Sequence, residues 1–456
     1  MNEKAKRRMS ESTDWQTGAT GALNGLRRKL VDKTAKLGVI GLGYVGLPVA
    51  CLFAAAGFKV AGVDIQTERV AKINAGISPI EGDEPGLAEL LAKVIRAGTL
   101  HATGTYAPLA ECDVITINVE TPVDEQHIPR YAALQSALRA LGAVLKEGAL
   151  VIVESTIAPG TMEKLVKPIL EETSGKRVNA GFYLGHCPER VMPGKLLANL
   201  RGVSRVCGGE TPETAQTMIA LYRQVVQADL DPADCVTTEL VKTAENAYRD
   251  VNIAFANEVA LVCEAVGGDV WKVRELVNKS PGRNMLLPGA GVGGHCIPKD
   301  PWLLVYEAQL QGVPIRLIPA ARAVNEAMPY HMVELLEAAL VEAGKVVTGA
   351  RVLVLGYAYL ENSDDTRNSP SAVLVERLRE LGAAVVIHDP YVAEYQGDIY
   401  RLAQGCDAVM VMVAHSEYRQ LDWAALGIPI VIDGRHLCNV TPQNRVYRAV
   451  GQRKVS

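Results

Sequence analysis

The chain has 456 residues and 48.9 kDa, enough for two or three domains, and its 48% hydrophobic and 21% charged residues exclude a chain disordered throughout. A net charge of −4, from 47 Lys and Arg against 51 Asp and Glu, excludes the global basic footprint of a nucleic-acid coat. The nine cysteines include no C-x-x-C pair, which argues against a disulfide scaffold or a structural zinc site and for a reducing cytoplasm.

Residues 1–36 hold nine Lys/Arg against four Asp/Glu and show no apolar periodicity, so a basic, flexible tail is expected. No h-region follows those basic residues, and no signal peptide is expected. No uncharged apolar stretch approaches the ~18 residues of a membrane span, so membrane insertion is not expected.

Leu37–Ile40 reads as a short buried strand. A glycine-rich turn, the apolar helix Leu47–Ala56 and the strand Lys59–Val63, ending at Asp64, complete a βαβ unit. Val114–Val119 and Leu150–Val153 add strands. The alternation predicts a doubly wound α/β domain over 37–212. Residues 213–345 look helical. Val236, Leu240, Ala244, Ala247, Val251, Phe255, Val259 and Val262 recur in steps of three and four, one stripe of a long helix. A second helix is predicted over Met328–Ala343, with Pro329 in its first turn. From 346 to 456 a second α/β unit follows: strands at Val352–Leu355, Ala384–Ile387, Val409–Val413 and Ile428–Ile432, and a helix at Ala372–Leu381. The expected fold is thus α/β, two doubly wound Rossmann-like domains joined by a central helical region.

Gly41-Leu42-Gly43-Tyr44-Val45-Gly46 is G-x-G-x-x-G between a strand and a helix. Its glycines suit a tight turn, close approach to a pyrophosphate and close helix–strand packing. The helix N-terminus offers free N–H groups to the anion. Asp64, at the end of the next strand, is placed to accept hydrogen bonds from a ribose diol and to repel a 2′-phosphate, which favours NAD over NADP. The second unit has Leu355-Gly356-Tyr357 without the fingerprint, and no dinucleotide is assigned to it.

Between Gly289 and Gly294, four of six residues are glycine, and Cys296 follows, with Asp300 four residues on. Such a loop permits close backbone approach to a ligand. A thiol presented this way can attack an aldehyde, and oxidation of the adduct gives a thioester that water can open. His295 neighbours Cys296 in sequence, where side chains diverge, so no His–Cys dyad is expected. The other eight cysteines read as buried apolar residues. On the long helix, Lys242, Asn246 and Arg249 share one face. A desolvated lysine there can act as a base toward a reacting oxygen.

These motifs, with Glu154-Ser155-Thr156-Ile157, Cys187-Pro188-Glu189-Arg190, Glu239-Leu240-Val241-Lys242, Gly293-Gly294-His295-Cys296 and Asp364-Asp365-Thr366-Arg367, resemble the UDP-glucose/GDP-mannose dehydrogenase family from about 37 to 440. The resemblance implies an NAD-binding domain, a central dimerisation region and a C-terminal nucleotide-sugar domain. It also implies a homodimer or larger oligomer and a role in polysaccharide precursor synthesis. The implied reaction is four-electron oxidation of a sugar C6 alcohol to the carboxylate. Cys296 matches the thioester nucleophile and Lys242 the general acid/base. Asn246 and Asp300 match groups that support the oxyanion and the hydrolytic water. Gly41, Gly43, Tyr44, Val45, Gly46, Asp64, Arg69, Thr121, Thr156 and Arg367 match cofactor contacts. Glu189, Arg190, Val191, Lys242, Asn246, Arg249, Arg283 and Gly293 match substrate contacts. No metal is implied.

Residues 187–194 and 293–296 look most like the branch that oxidises UDP-N-acetylhexosamines. UDP-N-acetyl-D-mannosamine ranks first, then UDP-N-acetylglucosamine; UDP-glucose and a catalytically weak nucleotide-sugar-binding subunit are the alternatives. The chain departs from the family pattern at Leu360, where a lysine is usual, at Ser280-Pro281-Gly282, and at Glu120, where proline is usual.

Overall fold

The computed structural model describes residues 21–80, 82, 84–437 and 446–452. It divides into two compact units, Met1–Thr243 and Ala244–Ser456.

The first unit opens with α1 (Gly21–Val31), not with a tail that reaches residue 36. Leu23, Leu26 and Leu30 fall three and four apart on one face of α1 and are buried. Arg27 Nε donates to Thr217 Oγ1 at 2.9 Å, and Lys29 pairs with Asp113 at 2.9 Å. Residues 1–20 lie outside the described residues.

Then come β1 (Lys36–Ile40), α2 (Gly46–Ala55), β2 (Lys59–Val63), β3 (Leu100–Thr103), β4 (Val114–Ile117), β5 (Ala149–Val153), β6 (Phe182–His186), β7 (Arg205–Gly209), α3 (Pro212–Tyr222) and β8 (Leu230–Asp234). The sheet order is β3-β2-β1-β4-β5-β6-β7-β8, parallel except for β6 against β7. Leu37 of β1 pairs with Val60 on one side and Val114 on the other. The strand order reverses at that point, which opens a crevice above the carboxyl ends of β1 and β4. Both faces of the sheet are covered by buried apolar clusters. That explains the near-continuous apolar strands Val114–Ile117 and Ala149–Val153. Residues 213–234, expected in the central helical region, instead complete this sheet through α3 and β8. Arg205 to Gly209 pair along Leu230 to Asp234, so the sheet does not end before 212.

α4 (Cys235–Val266) starts directly after β8 and is the long helix expected there. Its apolar stripe is not a buried seam. Val236, Leu240, Phe255 and Val262 are exposed; Ala247 of the expected stripe is buried, as are Ala256 and Ala260 outside it. In the second unit, α5 (Asp300–Leu310) and α6 (Leu317–Glu342) follow. α6 begins well before Met328, so Pro329 lies inside the helix rather than in its first turn. An interior proline costs one backbone hydrogen bond. The buried Arg322–Asp250 pair, 2.7 Å, anchors the turns ahead of it.

β9 (Arg351–Leu355), α7 (Pro370–Glu380), β10 (Ala384–His388), β11 (Ala408–Val411), β12 (Ile430–Asp433) and β13 (Val446–Ala449) form a parallel sheet in the order β10-β9-β11-β12-β13. Its first four strands repeat the β2-β1-β4-β5 order of the first unit. The turn after β9 repeats the chemistry as well. Gly356 has φ +90°, and the buried Asp389 after β10 accepts from Tyr357 N at 2.7 Å and Ala358 N at 2.9 Å. Burial opposes ionisation of Asp389, but His415 and those N–H groups hold its carboxyl down at about 2. That stabilisation is complete above the ordinary carboxylate range and is lost as pH falls toward 2. Asp389→Asn is therefore expected to cost about 2 kcal/mol at pH 7. It should also flatten the acid limb of stability between pH 4 and 2, read by urea unfolding at stepped pH. An unchanged acid limb would contradict this.

Candidate active site

In the first unit the three glycines of the turn do different work. Gly41 has φ +85°, and a Cβ there would lie 2.6 Å from Asn118 O. A Cβ on Gly46 would lie 1.8 Å from Gly41 O, so helix and strand pack with no room for a side chain. At Gly43 a Cβ would meet nothing within 4 Å. That open space, at the N-terminus of α2, fits an approaching pyrophosphate. Asp64 is buried and pins the turn: Oδ2 accepts from Leu42 N at 2.9 Å and from Arg69 at 3.0 Å, and Oδ1 from Gln66 N at 2.9 Å. A carboxylate has about four lone-pair sites, which leaves one for a ribose hydroxyl. Thr121 Oγ1 donates to Thr156 O at 2.6 Å, so those two expected cofactor residues meet.

A buried polar network runs sideways from this turn. Asn118 N donates to Ile40 O at 2.7 Å, and its amide donates to Glu154 Oε2 at 2.6 Å. Glu154 Oε1 accepts from the Tyr222 hydroxyl at 2.6 Å. Arg205 stands 3.9 Å from Glu154 and pairs closely with Glu189. Burial pushes the Glu189 carboxyl up to about 7, and the Arg205 guanidinium pulls the other way. The Lys242 ammonium adds a second, weaker pull toward the ionised form, so the carboxylate sits between burial and two cations. Sequence reasoning missed this partner, because Arg205 sits on β7 and no local motif joins it to Glu189.

Lys242, on α4, is 8% exposed and lines a shallow recess with Pro188, Arg190, Val206, Thr238 and Val241. The recess brings together the expected lysine and the expected substrate arginine. Arg190 is held by a 2.5 Å hydrogen bond to Ser204 O. Val191 is half-buried beside it. Along the helix face the environment changes: Asn246 is half-buried and Arg249 exposed.

In the second unit Asn246 Nδ2 donates to Asp300 Oδ2 at 2.5 Å, so two expected catalytic groups touch. Asp300 is buried at the start of α5, with the Lys299 ammonium 3.3 Å from Oδ1. Asp300 N donates to Cys296 O at 2.8 Å, which fixes the cysteine one turn ahead of the helix. Cys296 is exposed, whereas the other seven described cysteines are buried. Cys438 lies outside the described residues.

The glycines of this loop serve packing more than ligand approach. A Cβ on Gly291 would lie 2.9 Å from Pro370, on Gly293 2.7 Å from Asn368 O, and on Gly294 2.7 Å from the Tyr359 ring. Gly294 N also donates to Arg367 O at 2.9 Å. A buried amide ladder fixes the loop's other end. Gly289 N donates to Asn257 Oδ1 at 2.9 Å, Asn257 Nδ2 to Asn325 Oδ1 at 2.9 Å, and Asn325 Nδ2 to Asp250 at 2.7 Å. Arg367, expected at the cofactor, stands beside the cysteine loop and is paired with Asp365. Arg283 is exposed, bonded to Pro281 O at 3.1 Å, and is not drawn to the thiol by any described contact. Leu360 is half-buried.

Sequence reasoning also missed Arg435. It follows β12, donates to Met412 O at 2.6 Å, and makes no ion pair with a described carboxylate. The Glu361 and Asp433 carboxylates are within electrostatic reach but do not close a direct pair, so the guanidinium can still take a phosphate. Its one sequence signal is Asp433-Gly434-Arg435 at a strand's carboxyl end. Among the described residues no group of His, Cys, Asp and Glu is placed to hold a metal, and no helix is long and apolar enough to cross a membrane.

Family models match three successive stretches: the NAD binding domain of the UDP-glucose/GDP-mannose dehydrogenase family over residues 35–226, its central domain over 236–327 and its UDP binding domain over 353–440. The chain belongs to the UDP-glucose/GDP-mannose dehydrogenase family. It is an NAD-dependent UDP-sugar dehydrogenase. The UDP-N-acetyl-D-mannosamine dehydrogenase of Pyrococcus horikoshii is similar at 39% identity, over 91% of this chain and 99% of that one, and its structure superposes with a TM-score of 0.87. An NDP-N-acetyl-D-galactosaminuronic acid dehydrogenase of Ralstonia nicotianae is 36% identical over 88% of this chain and 95% of that one. A UDP-glucose dehydrogenase structure from Pyrobaculum islandicum matches at 31% identity and a TM-score of 0.83, over 92% of this chain and 98% of that one.

Proposed function

We propose that this dehydrogenase oxidises the C6 hydroxyl of a UDP-N-acetylhexosamine, with UDP-N-acetyl-D-mannosamine as the preferred sugar, through the aldehyde to the uronic acid. One observation carries the mechanism: Cys296 is the exposed thiol among the described cysteines, and it precedes an Asp300 already bonded to Asn246. The sugar preference is supported by the names of relatives at 34–39% identity, most of them UDP-N-acetyl-D-mannosamine dehydrogenases.

Bound NAD accepts the two electrons of each oxidation. Lys242 takes the C6 hydroxyl proton as the alcohol becomes an aldehyde. The Cys296 thiol adds to the aldehyde carbon, and its proton passes to the carbonyl oxygen, giving a thiohemiacetal. Loss of two electrons and two protons turns this into a thioester. Water then adds, the C–S bond breaks, and the carboxylate leaves with Cys296 restored. The Asn246 amide has a second N–H with which to support the oxyanion, and Asp300 orients the water. Arg190 and Val191 hold the sugar end of the substrate.

Kinetics on UDP-N-acetyl-D-mannosamine, UDP-N-acetylglucosamine, UDP-N-acetylgalactosamine and UDP-glucose test the preference. The mannosamine epimer is expected to have the highest kcat/KM. A higher value for another sugar would reassign the substrate, and UDP binding with turnover of none would favour the nucleotide-sugar-binding subunit, to which Leu360 already points.

The exposed stripe of α4 supports a homodimer. Val236, Leu240, Phe255, Val262 and Val266 are all exposed, and α4 runs 32 residues, about 48 Å. Phe255→Glu is expected to halve the mass seen by light scattering at micromolar concentration. A monomeric wild-type chain would contradict the dimer. The reaction's soluble substrate and cofactor suit a cytoplasmic enzyme, which fractionation would check.

A further inference from the structure

We propose that Glu84 is a positioning residue that ties the cofactor loop to the substrate segment, so that binding of NAD and binding of the UDP-sugar affect one another. The proposal rests on the reading of 41–46 as the NAD loop and of 190–194 as the substrate segment.

Glu84 stands just ahead of the helix Leu87–Arg96. One carboxylate oxygen, Oε1, accepts a hydrogen bond from the Tyr44 hydroxyl and another from Gly194 N at 2.9 Å. The other, Oε2, accepts from Leu196 N at 3.1 Å. Tyr44 belongs to the glycine turn. Gly194 and Leu196 close the stretch that starts with Arg190 and Val191. One half-buried carboxylate therefore holds three donors from two functional segments.

That stretch has few internal bonds to shape it. It lies between β6 and the helix Leu196–Gly202 and belongs to no strand. Met192 N donates to Asn199 Oδ1 at 3.0 Å and Lys195 N to Met192 O at 3.2 Å. Glu84 supplies the acceptors for two further N–H groups. Gly194 has φ +73°, a backbone conformation that a side chain would strain. A Cβ on Gly86 would lie 3.8 Å from Leu197 Cδ1, so the chain just after Glu84 lies close to the helix that follows the stretch.

The energetic consequence follows from charge. Hydrogen bonds to an ionised acceptor are the strong ones, and a glutamine in its place would offer one oxygen and present an N–H toward other N–H groups. A ligand that moves Tyr44 shifts the carboxylate that shapes 190–196, and linkage makes the effect reciprocal.

The test uses the full-length chain as wild type, Glu84→Gln, Tyr44→Phe and the double variant. NAD affinity is measured by calorimetry with and without saturating UDP. In the wild type, UDP is expected to change the NAD Kd by a factor of about five or more. That factor should fall to about one in each single variant, with no further change in the double. The sugar KM of Glu84→Gln should rise about tenfold, with a smaller change in kcat. A merely structural role would lower the melting temperature without abolishing the coupling. Tyr44→Phe removes one hydroxyl only, so the coupling stays measurable if Glu84→Gln does not fold. Retention of the wild-type factor in Tyr44→Phe or Glu84→Gln would overturn the proposal, as would binding of both ligands by the wild type with no coupling. A wild type that binds neither NAD nor UDP would overturn the underlying reading of the two segments, and the proposal with it.

Discussion

Cys296→Ala is expected to lower steady-state uronate formation by ~10³-fold or more. The effect follows from the exposure of this thiol and from its position one turn ahead of the buried Asp300. Without sulfur the aldehyde has no covalent anchor, and the second oxidation loses its substrate. The first oxidation needs only Lys242 and bound cofactor, so a single-turnover experiment should still give NADH, at no more than one equivalent per bound sugar. Cys296 is exposed, and its replacement creates no core cavity, so the melting temperature should stay close to wild type. Calorimetry and chromatographic detection of the acid together separate loss of chemistry from loss of fold. Undiminished uronate production would sink the thioester route.

Lys242→Met should reduce kcat by about 10²–10⁴-fold, the usual contribution of a positioned acid or base. Lys242 is nearly buried in a recess it shares with Arg190, which keeps most bulk water from its side chain. Methionine keeps much of the stem's packing and removes the proton carrier. Lys242→Arg is the sharper control: it keeps a charge but cannot surrender a proton at accessible pH, and should be as slow as the methionine variant. NAD affinity should survive in both, since the glycine turn does not involve the lysine. Recovery of near-wild-type kcat in Lys242→Arg would show that charge alone matters there.

Much of the fold was legible because its signals are local. The strand from Leu37, the glycine turn and Asp64 follow one another in a single short βαβ stretch, and each constrains the next. The second Rossmann-like unit announced itself through Val352–Leu355 and His388-Asp389 in the same way. What was not legible depended on partners distant in sequence. Leu23, Leu26 and Leu30 sit among basic residues, and α1 is held through Arg27 to Thr217 of α3, far along the chain. Pro329 reads as a helix start because proline is commonest there, and only packing of Arg322 on Asp250 shows that the helix is already under way.

The same division holds at the site. Cys296, Asn246 and Asp300 stand out from loop motif, helix spacing and family resemblance, and the structure places Asn246 and Cys296 each in contact with Asp300. The glycines around Cys296 read in sequence as room for a ligand, whereas Tyr359, Asn368 and Pro370 fill the space that side chains would need. Glu84 and Arg205 act on segments that belong to other elements of the fold, and no local pattern marks them. Arg435 carries no motif beyond a strand end.

The central claim is a four-electron oxidation carried through a cysteine adduct, and the ratio of NADH formed to UDP-sugar consumed tests it most directly. UDP-N-acetyl-D-mannosamine run to completion with excess NAD should yield two NADH and one uronate per sugar. One NADH per sugar, with aldehyde released, would contradict the account and leave Cys296 without its assigned role.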